Sequence, residues 1–341
     1  MSNFASPEAS LMADVHFSGK TLDDVIHSVI DEITKRGNRI HPRKGSADEI
    51  TGVLLEISNP LARLSRTETR GRIFSALGEL CWYLAGSKKV DFISYYIANY
   101  RKLAEDGEIF GGYGPRLLNW RGINQISKVI EILTTNPDSR KAVIQLFDAT
   151  DLSIEHKDVP CTCTLQCILR QGKLHLLVNM RSNDVHWGLP HDVFCFTMLQ
   201  EIVARSISAE LGVYKHAVGS LHLYTKDSGA AKRFLKEGWQ RTASVMPSMP
   251  VGNPWPSIAL LLEAESAIRN KGTFDEAKLD TVDAYWADLV RLLQMFAAKK
   301  DRNADAMKTV RERMSSDVYS PFIDRAIRQV KTLNPLESSH G

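Results

Sequence analysis

No apolar stretch in the sequence approaches the ~18 residues that a membrane-spanning helix requires. The amino-terminal stretch also lacks a basic segment followed by an apolar one, so we expect no signal peptide. The five cysteines are odd in number and clustered, which is typical of a reducing cytoplasm and not of a disulfide scaffold. We therefore expect a cytoplasmic protein that does not bind a membrane.

The chain also lacks an excess of charge of one sign. Its 341 residues include 43 basic and 40 acidic ones, and the net charge of +3 is too balanced to predict nucleic-acid binding. We find no internal repeat and no low-complexity tract. Hydrophobic residues make up 43% of the chain, which is enough for the core of one large domain or of two ordinary ones.

Hydrophobic periodicity predicts an α+β fold. Residues 1–20 are predicted to be a leader. Over residues 21–235, helical patterns mix with strand patterns, and the alternation is clearest at residues 173–182. An apolar helix is predicted over residues 193–211. Strand signals then fade, so we expect a mostly helical C-terminal extension over residues 236–341.

Three of the five cysteines fall in the octapeptide PCTCTLQC, which begins at Pro160. Paired C-x2-C motifs, which zinc sites use, are absent, so we predict no metal. Cys163 and Cys167 are expected to be small buried strand residues. Cys161 differs because it follows Pro160 at the strand edge, where a thiol can lie in a pocket. A metal site and C-x-C redox chemistry stay open as alternatives.

The segment NMRSND places Arg181 and Ser182 near the end of a strand. A guanidinium group beside a hydroxyl group suits a phosphate, because its planar fork matches phosphate geometry. The alternative is an arginine in an ordinary salt bridge. Asp192 lies just before the predicted apolar helix, where the alternative to a functional role is a helix N-cap.

Three further polar residues lie in apolar surroundings. Glu79 interrupts an apolar helix, and the simplest alternative is a side chain that faces solvent. His222 and Tyr224 share one face of a predicted strand, where a half-buried pair is the simplest alternative. Each structural alternative is reasonable alone. The order of the segments along the chain therefore has to distinguish functional roles from structural ones.

Together, these segments resemble the thymidylate synthase family in order and spacing over residues 20–230. The resemblance implies a mixed sheet packed with helices, and a homodimer with shared active sites. The matching segments are Pro160–Cys161, Arg181-Ser182-Asn183-Asp184, Gly188-Leu189-Pro190, His222-Leu223-Tyr224, Glu79 with Trp82 in LGELCWYLAG, Tyr113 in GGYG, and Arg140 with Lys141 in NPDSRK.

The resemblance also implies roles. Cys161 would be the nucleophile and Glu79 the general acid/base, with Tyr113 and Asp192 as the other catalytic residues. The co-substrate 5,10-methylenetetrahydrofolate would contact Trp82, Asp184 and Gly188. A pyrimidine nucleoside monophosphate would be bound by Arg43, Arg181, Ser182, Asp184, His222 and Tyr224, and by Arg140 and Lys141 of the other subunit.

Three positions depart from most thymidylate synthases, which have His after the nucleophile, Asn in the turn and Asp in the later strand. This chain has Thr162, Asp192 and Gly219–Ser220 there. These features are similar to the bacteriophage deoxycytidylate hydroxymethylases, which add hydroxymethyl to cytosine instead of methyl to uracil. The helical region beyond residue 235 matches nothing in that branch, and no folate-closing tail is recognised.

The chemistry of such a reaction explains the residue types. A pyrimidine C5 becomes nucleophilic when a thiolate adds at C6. We therefore predict a folate-dependent (d)CMP 5-hydroxymethyltransferase, in which Cys161 adds to the base and Glu79 assists the addition of water. Asp192 would accept from the cytosine amine and share a proton with N3. The alternatives are a thymidylate synthase that methylates dUMP and a non-catalytic family member that binds nucleotide or RNA.

Overall fold

The computed structural model describes residues 15–65, 72–239 and 245–333. Within these ranges, seven strands form one mixed sheet, which confirms the predicted α+β class. The strands are β1 (His16–Gly19), β2 (Asn38–Ile40), β3 (Ala47–Ile57), β4 (Val143–Gln145), β5 (Thr162–Arg170), β6 (Lys173–Asp184) and β7 (Glu210–Tyr224). Their order is β1-β3-β7-β6-β5-β4, and β2 pairs with β3 off this path.

The sheet topology brings distant motifs to one edge. β6 and β7 are parallel, with Asp184 opposite His222 near their carboxyl ends. β5 is antiparallel to β6, so the start of β5 lies near the end of β6, with Thr162 opposite Met180. The cysteine that precedes β5 therefore lies near the residues that end β6 and β7.

Helices pack around this sheet and continue beyond it. In the described ranges none is long and apolar enough to cross a membrane. Helix α1 begins with a capping box, because the Thr21 side chain accepts from the backbone of Asp24 and the Asp24 carboxylate accepts from that of Thr21. The helices are α1 (Leu22–Arg36), α2 (Ile73–Leu84), α3 (Val90–Tyr96), α4 (Tyr113–Leu118), α5 (Gln125–Thr135), α6 (Gly188–Ser206), α7 (Ser228–Lys236), α8 (Trp255–Arg269), α9 (Ala284–Lys300), α10 (Ala304–Glu312) and α11 (Ser320–Leu333).

Helix α6 begins earlier than the apolar pattern predicted. It starts at Gly188 and ends at Ser206, whereas residues 193–211 were expected. Pro190 lies in its first turn, where a missing N–H costs no helical hydrogen bond. Asp192 consequently lies in the second turn of the helix. Its interpretation as an N-cap is wrong.

Both predicted flanking regions contain residues that pack on the central domain. Strand β1 falls within the predicted leader, yet it pairs in parallel with the end of β3. Residues 1–14 of that leader lie outside the described residues. Helices α8 and α9 of the predicted extension pack against α2, and the Tyr96 hydroxyl donates to Glu265 Oε1 of α8 at 2.8 Å. The boundary at residue 235 stays a prediction.

Candidate active site

Cys161 directly precedes β5 and lies against Arg181 of β6. Arg181 Nη2 is 3.6 Å from Cys161 Sγ, and the Arg181 backbone N–H donates to the Cys161 carbonyl at 2.8 Å. The guanidinium group also donates to the carbonyl oxygens of Pro160 at 2.9 Å and Val159 at 3.1 Å. Arg181 therefore fixes the backbone that carries Cys161 and sets a positive charge beside its thiol.

The charges around the Cys161 thiol oppose one another. Burial raises its pKa, and the positive charge of Arg181 lowers it. Asp158 and Asp192 raise this pKa further, whereas Lys44 lowers it. The thiol form is consequently favoured at neutral pH, and a thiolate requires added positive charge or the loss of a nearby negative one.

The other two cysteines of the motif lie on β5, as predicted. Cys163 is half-buried, and Cys167 is 1% exposed in the core. Burial raises the pKa of the Cys167 thiol to about 12, so it is inert as a nucleophile at neutral pH. Among the described residues, no cluster of three or more His, Cys, Asp and Glu side chains has a metal-binding arrangement.

Tyr113, at the start of α4, fixes the residue after Cys161. Its hydroxyl accepts from the Thr162 backbone N–H at 3.1 Å and from the Thr162 hydroxyl at 2.9 Å. Its loop packs closely on the chain before Cys161, because a Cβ on Gly111 would lie 2.7 Å from Asp158 Oδ2. A side chain at Gly111 would displace this loop from the segment that leads into β5.

Glu79 lies in α2 and is only 5% exposed, so its interpretation as a solvent-facing residue is wrong. Its Oε1 accepts from the Tyr100 hydroxyl at 2.7 Å and the Tyr83 hydroxyl at 3.2 Å. Burial raises the pKa of Glu79 to about 7, and the two hydrogen bonds oppose that rise. A carboxyl group of this pKa can both release and take up a proton near neutral pH.

Trp82 lies in the core beside this carboxyl group and is 1% exposed. Its ring meets Tyr100 edge-on at 5.5 Å. The buried indole N–H has no hydrogen-bond partner among the described residues. An unsatisfied buried donor is costly, so it fits a position where a polar group of a bound molecule approaches. Its role in folate binding stays a prediction.

Asp192 on α6 faces the same region. Burial raises the pKa of its carboxyl group well above the usual value, the nearby charges of Glu79 and Asp184 add to the rise, and a hydrogen bond from Asn183 opposes it. The neutral form of this acid is therefore favoured over a wider pH range than in a free aspartate. Gly188 lies next to it, because a Cβ there would lie 3.5 Å from Asp192 Oδ2, an ordinary van der Waals contact. Contact of Gly188 with folate stays a prediction.

Asp184 and His222 lie side by side at the ends of β6 and β7. Asp184 Oδ1 accepts from the backbone N–H groups of His186 at 2.8 Å and Trp187 at 3.3 Å, which fixes the turn before α6. Burial lowers the pKa of His222, and the Asp184 charge partly restores it. The rings of His222 and Tyr224 are perpendicular with centroids 4.9 Å apart. Both ring groups lie at the edge that holds Cys161.

Ser182 pairs with Ser220 across β6 and β7, on the same edge as Arg181. The Ser220 hydroxyl donates to Glu49 Oε2. Arg43 lies in the loop before β3, and its Nη2 donates to the Lys157 carbonyl at 2.7 Å. A phosphate site at Ser182 and Arg43 stays a prediction.

Arg140 and Lys141 are exposed and lie away from Cys161 of the same chain. The Gln166 side chain on β5 donates to the Arg140 carbonyl at 3.1 Å. Gln166 is five positions after Cys161, which corresponds to roughly 16 Å of extended backbone. The contact of these two cations with a phosphate bound to another subunit stays a prediction.

Several residues of this site are absent from the sequence-based predictions. Tyr83 is four residues after Glu79, a helical spacing that could have found it. Tyr100 and Asn183 make their contacts across long sequence separations, and no local pattern indicates them. Lys44 follows Arg43 in the same basic loop.

A family model, "Thymidylate synthase", matches residues 23–258. The chain belongs to the thymidylate synthase family. Relatives named "Deoxyuridylate hydroxymethyltransferase" are 32% identical over 63% of this chain and 60% of the Bacillus phage SP01 protein, and 31% identical over 60% of this chain and 59% of the Pseudomonas phage M6 protein. A "Thymidylate synthase" of Bacillus phage phi3T is 37% identical over 36% of this chain and 46% of its own.

The match spans about 60% of the length of the two hydroxymethyltransferases. The predicted family is thus confirmed. The cytidylate branch is not, because both relatives carry a deoxyuridylate name.

Proposed function

We propose that this protein is a folate-dependent pyrimidine nucleotide 5-hydroxymethyltransferase that acts through Cys161. One observation carries the proposal: a thiol 3.6 Å from a guanidinium group shares its site with a buried glutamate whose pKa is about 7. A thiol can add to the base, and a carboxyl group of that pKa can move protons near neutral pH. The names of two phage relatives support hydroxymethyl transfer.

Cys161 would add through Sγ to C6 of the base, which makes C5 nucleophilic. Arg181 favours the thiolate form that this step needs. The co-substrate 5,10-methylenetetrahydrofolate would supply the one-carbon group. The unsatisfied indole N–H of Trp82 fits a polar group of that molecule.

Glu79 would handle the protons of the later steps. The carboxylate form can accept a proton from the water that adds to the methylene carbon, and the acid form can return one. Tyr83 and Tyr100 hold Oε1 of this side chain, so its orientation is fixed before substrate binds.

Asp192 supports cytosine as the base of choice. Cytosine offers an acceptor at N3 and a donor at the amine, and a neutral carboxyl group can donate to the first and accept from the second. The raised pKa of Asp192 favours retention of the required proton on the protein. We therefore propose dCMP or CMP as substrate, bound at Arg181, Ser182 and His222.

A second candidate is hydroxymethylation of dUMP, which the printed names of the two relatives favour. A neutral carboxyl group turned the other way would accept from N3–H and donate to O4 of uracil. A methylating reaction on dUMP is the other catalytic alternative. It would release dihydrofolate, whereas hydration releases tetrahydrofolate.

We further propose a homodimer with shared sites. Arg140 and Lys141 are exposed, and the Arg140 backbone contacts β5 at Gln166, roughly 16 Å along the strand from Cys161, which suits a contact with phosphate in the neighbouring subunit. Mixing inactive Arg140→Ala with inactive Cys161→Ser should restore activity through hybrid dimers. No recovery, when subunit exchange is shown to occur, would argue against a shared site.

The reaction is tested by incubating the protein with 5,10-methylenetetrahydrofolate and each of dCMP, CMP, dUMP and UMP. We expect a hydroxymethylated cytosine nucleotide and tetrahydrofolate, with no product from Cys161→Ser. Methylated dUMP with dihydrofolate would overturn the proposal. Asp192→Asn should lower the dCMP-to-dUMP ratio of kcat/KM by roughly tenfold to a hundredfold, as expected for a mismatched buried hydrogen bond.

A further inference from the structure

A chain of buried polar groups runs from β7 toward α6. The Tyr214 hydroxyl lies 2.6 Å from His216 Nδ1, and His216 Nε2 lies 3.2 Å from Asn183 Nδ2. Tyr214 and His216 are fully buried, and Asn183 is 4% exposed. Burying polar groups costs free energy unless they are hydrogen-bonded. A chain of such groups inside a core therefore indicates a structural or functional role.

The imidazole of His216 is neutral, because burial lowers its pKa to about 3. A neutral imidazole has one donor nitrogen and one acceptor nitrogen. The amide nitrogen of Asn183 can only donate, so His216 Nε2 accepts and Nδ1–H donates to the Tyr214 oxygen. The two strand residues thereby fix the orientation of the Asn183 amide.

The same Asn183 side chain also approaches Asp192. A Cβ on Gly188 would lie 2.6 Å from Asn183 Oδ1 and 3.5 Å from Asp192 Oδ2, so both side chains converge over this glycine. Asn183 also forms a hydrogen bond with the Asp192 carboxyl group. The lack of a side chain at the first residue of α6 is what permits this approach.

This contact determines which carboxyl oxygen of Asp192 carries the proton. A carboxyl oxygen that accepts from the Asn183 amide stays unprotonated, so the proton of the neutral acid lies on the other oxygen. A freely turning carboxyl group would suit cytosine and uracil alike. A fixed one offers its donor and acceptor at set positions, and the wrong base then leaves buried polar groups unpaired.

We propose that Tyr214, His216 and Asn183 are positioning residues that orient Asp192 and thereby set the choice between cytosine and uracil. The proposal rests on the role of Asp192 proposed above. A purely structural role is the competing explanation. Loss of a purely structural network would weaken the binding of both nucleotides equally. Loss of the orientation of Asp192 would instead change the ratio of the two Kd values.

The test measures Kd for dCMP and dUMP by calorimetry, together with kcat/KM for both. His216→Phe removes the acceptor for Asn183, and we expect the dCMP-to-dUMP ratio to fall roughly threefold to tenfold, the scale of one hydrogen bond. His216→Gln keeps an acceptor and should retain most of the ratio. Tyr214→Phe removes only a hydroxyl group, so it serves if His216→Phe does not fold.

His175→Gln is the matched control. His175 also bridges β6 and β7, since its Nδ1 accepts from the Val213 backbone N–H at 3.0 Å, but it lies at the opposite end of the strands from Asp192. We expect His175→Gln to leave the ratio unchanged.

The same variants in an Asp192→Ala background show whether the effect passes through Asp192. We expect His216→Phe to leave the Kd ratio unchanged there. An equal shift in both backgrounds, or an unchanged ratio in the wild-type background, would overturn the proposal. If none of the four nucleotides gave a hydroxymethylated product, the proposed function would fail. The Kd ratios would still decide whether Tyr214, His216 and Asn183 orient Asp192.

Discussion

The acids of the candidate site have different partners from those of the helical layer, which are the buried acids Glu201, Glu265 and Asp288 of helices α6, α8 and α9. Glu79 and Asp192 are hydrogen-bonded by neutral groups, and neither has an ion-pair partner in the part of the chain that the structure describes. The acids of the helical layer each face a guanidinium group: Glu201 with Arg63 at 2.6 Å, Glu265 with Arg269 at 2.8 Å, and Asp288 with Arg291 at 3.0 Å.

Helix α6 carries both kinds of acid, with Asp192 in its second turn and Glu201 further along. Without a cation, burial raises the pKa of a carboxyl group, so its proton becomes exchangeable near neutral pH. With a guanidinium partner, the acid forms an ion pair that serves the structure. We therefore propose that acids without a cation partner, such as Glu79, carry the proton chemistry of this site.

The largest expected effect separates activity from stability at Glu79. Glu79→Gln keeps the size of the side chain and removes its proton chemistry, so kcat should fall roughly a hundredfold to ten-thousandfold. Because no cation depends on Glu79, the free energy of unfolding at neutral pH should not fall. Steady-state kinetics measures kcat, and urea unfolding measures the free energy of unfolding. A stable variant with normal kcat would contradict the role of Glu79 as general acid/base.

The opposite result is expected at Glu201. Glu201→Gln leaves the buried Arg63 guanidinium without its countercharge, which should cost about 3–5 kcal/mol of unfolding free energy. Activity per folded molecule should change little. The double variant with Arg63→Met and Glu201→Leu should recover much of the stability, because it removes both charges. Unchanged stability in Glu201→Gln would mean that this pair is not structural.

Stability should also depend on pH through Glu79. The folded protein holds this proton more tightly than the unfolded chain, because the pKa is about 7 instead of 4.5. The unfolded chain therefore releases the proton first, and stability falls as the pH rises from about 4.5 to about 7. At about 1.4 kcal/mol per pKa unit, the loss is about 3 kcal/mol. Urea unfolding of Glu79→Gln across this range should lack that component.

The smallest effect concerns Tyr100. Its hydroxyl donates to Glu79 and opposes the rise in pKa, so Tyr100→Phe should raise the apparent pKa in the pH profile of kcat by less than about one unit. Tyr95→Phe is the matched control, because its ring packs on Lys300 and Phe296 instead. An equal shift in both variants would show that the hydroxyl–carboxylate contact does not tune Glu79.

Local signals predicted the parts of this fold that depend on local rules. Alternation in β6 and the apolar face of α2 follow from side-chain periodicity, and both elements were found. The start of α6 was misplaced because Gly188 and Pro190 are typical of a turn, although proline is compatible with a first helical turn. The pairing of Glu79 with Tyr100, and of Asn183 with His216, depends on how distant elements pack, which periodicity does not encode.

The most direct test of the proposed reaction follows the oxygen atom of the product. The protein is incubated with its preferred nucleotide and 5,10-methylenetetrahydrofolate in ¹⁸O-labelled water, and the nucleotide is analysed by mass spectrometry. We expect a hydroxymethyl group that carries the label, formed in step with tetrahydrofolate and lost in Glu79→Gln. A methylated nucleotide without the label, formed in step with dihydrofolate, would contradict the account.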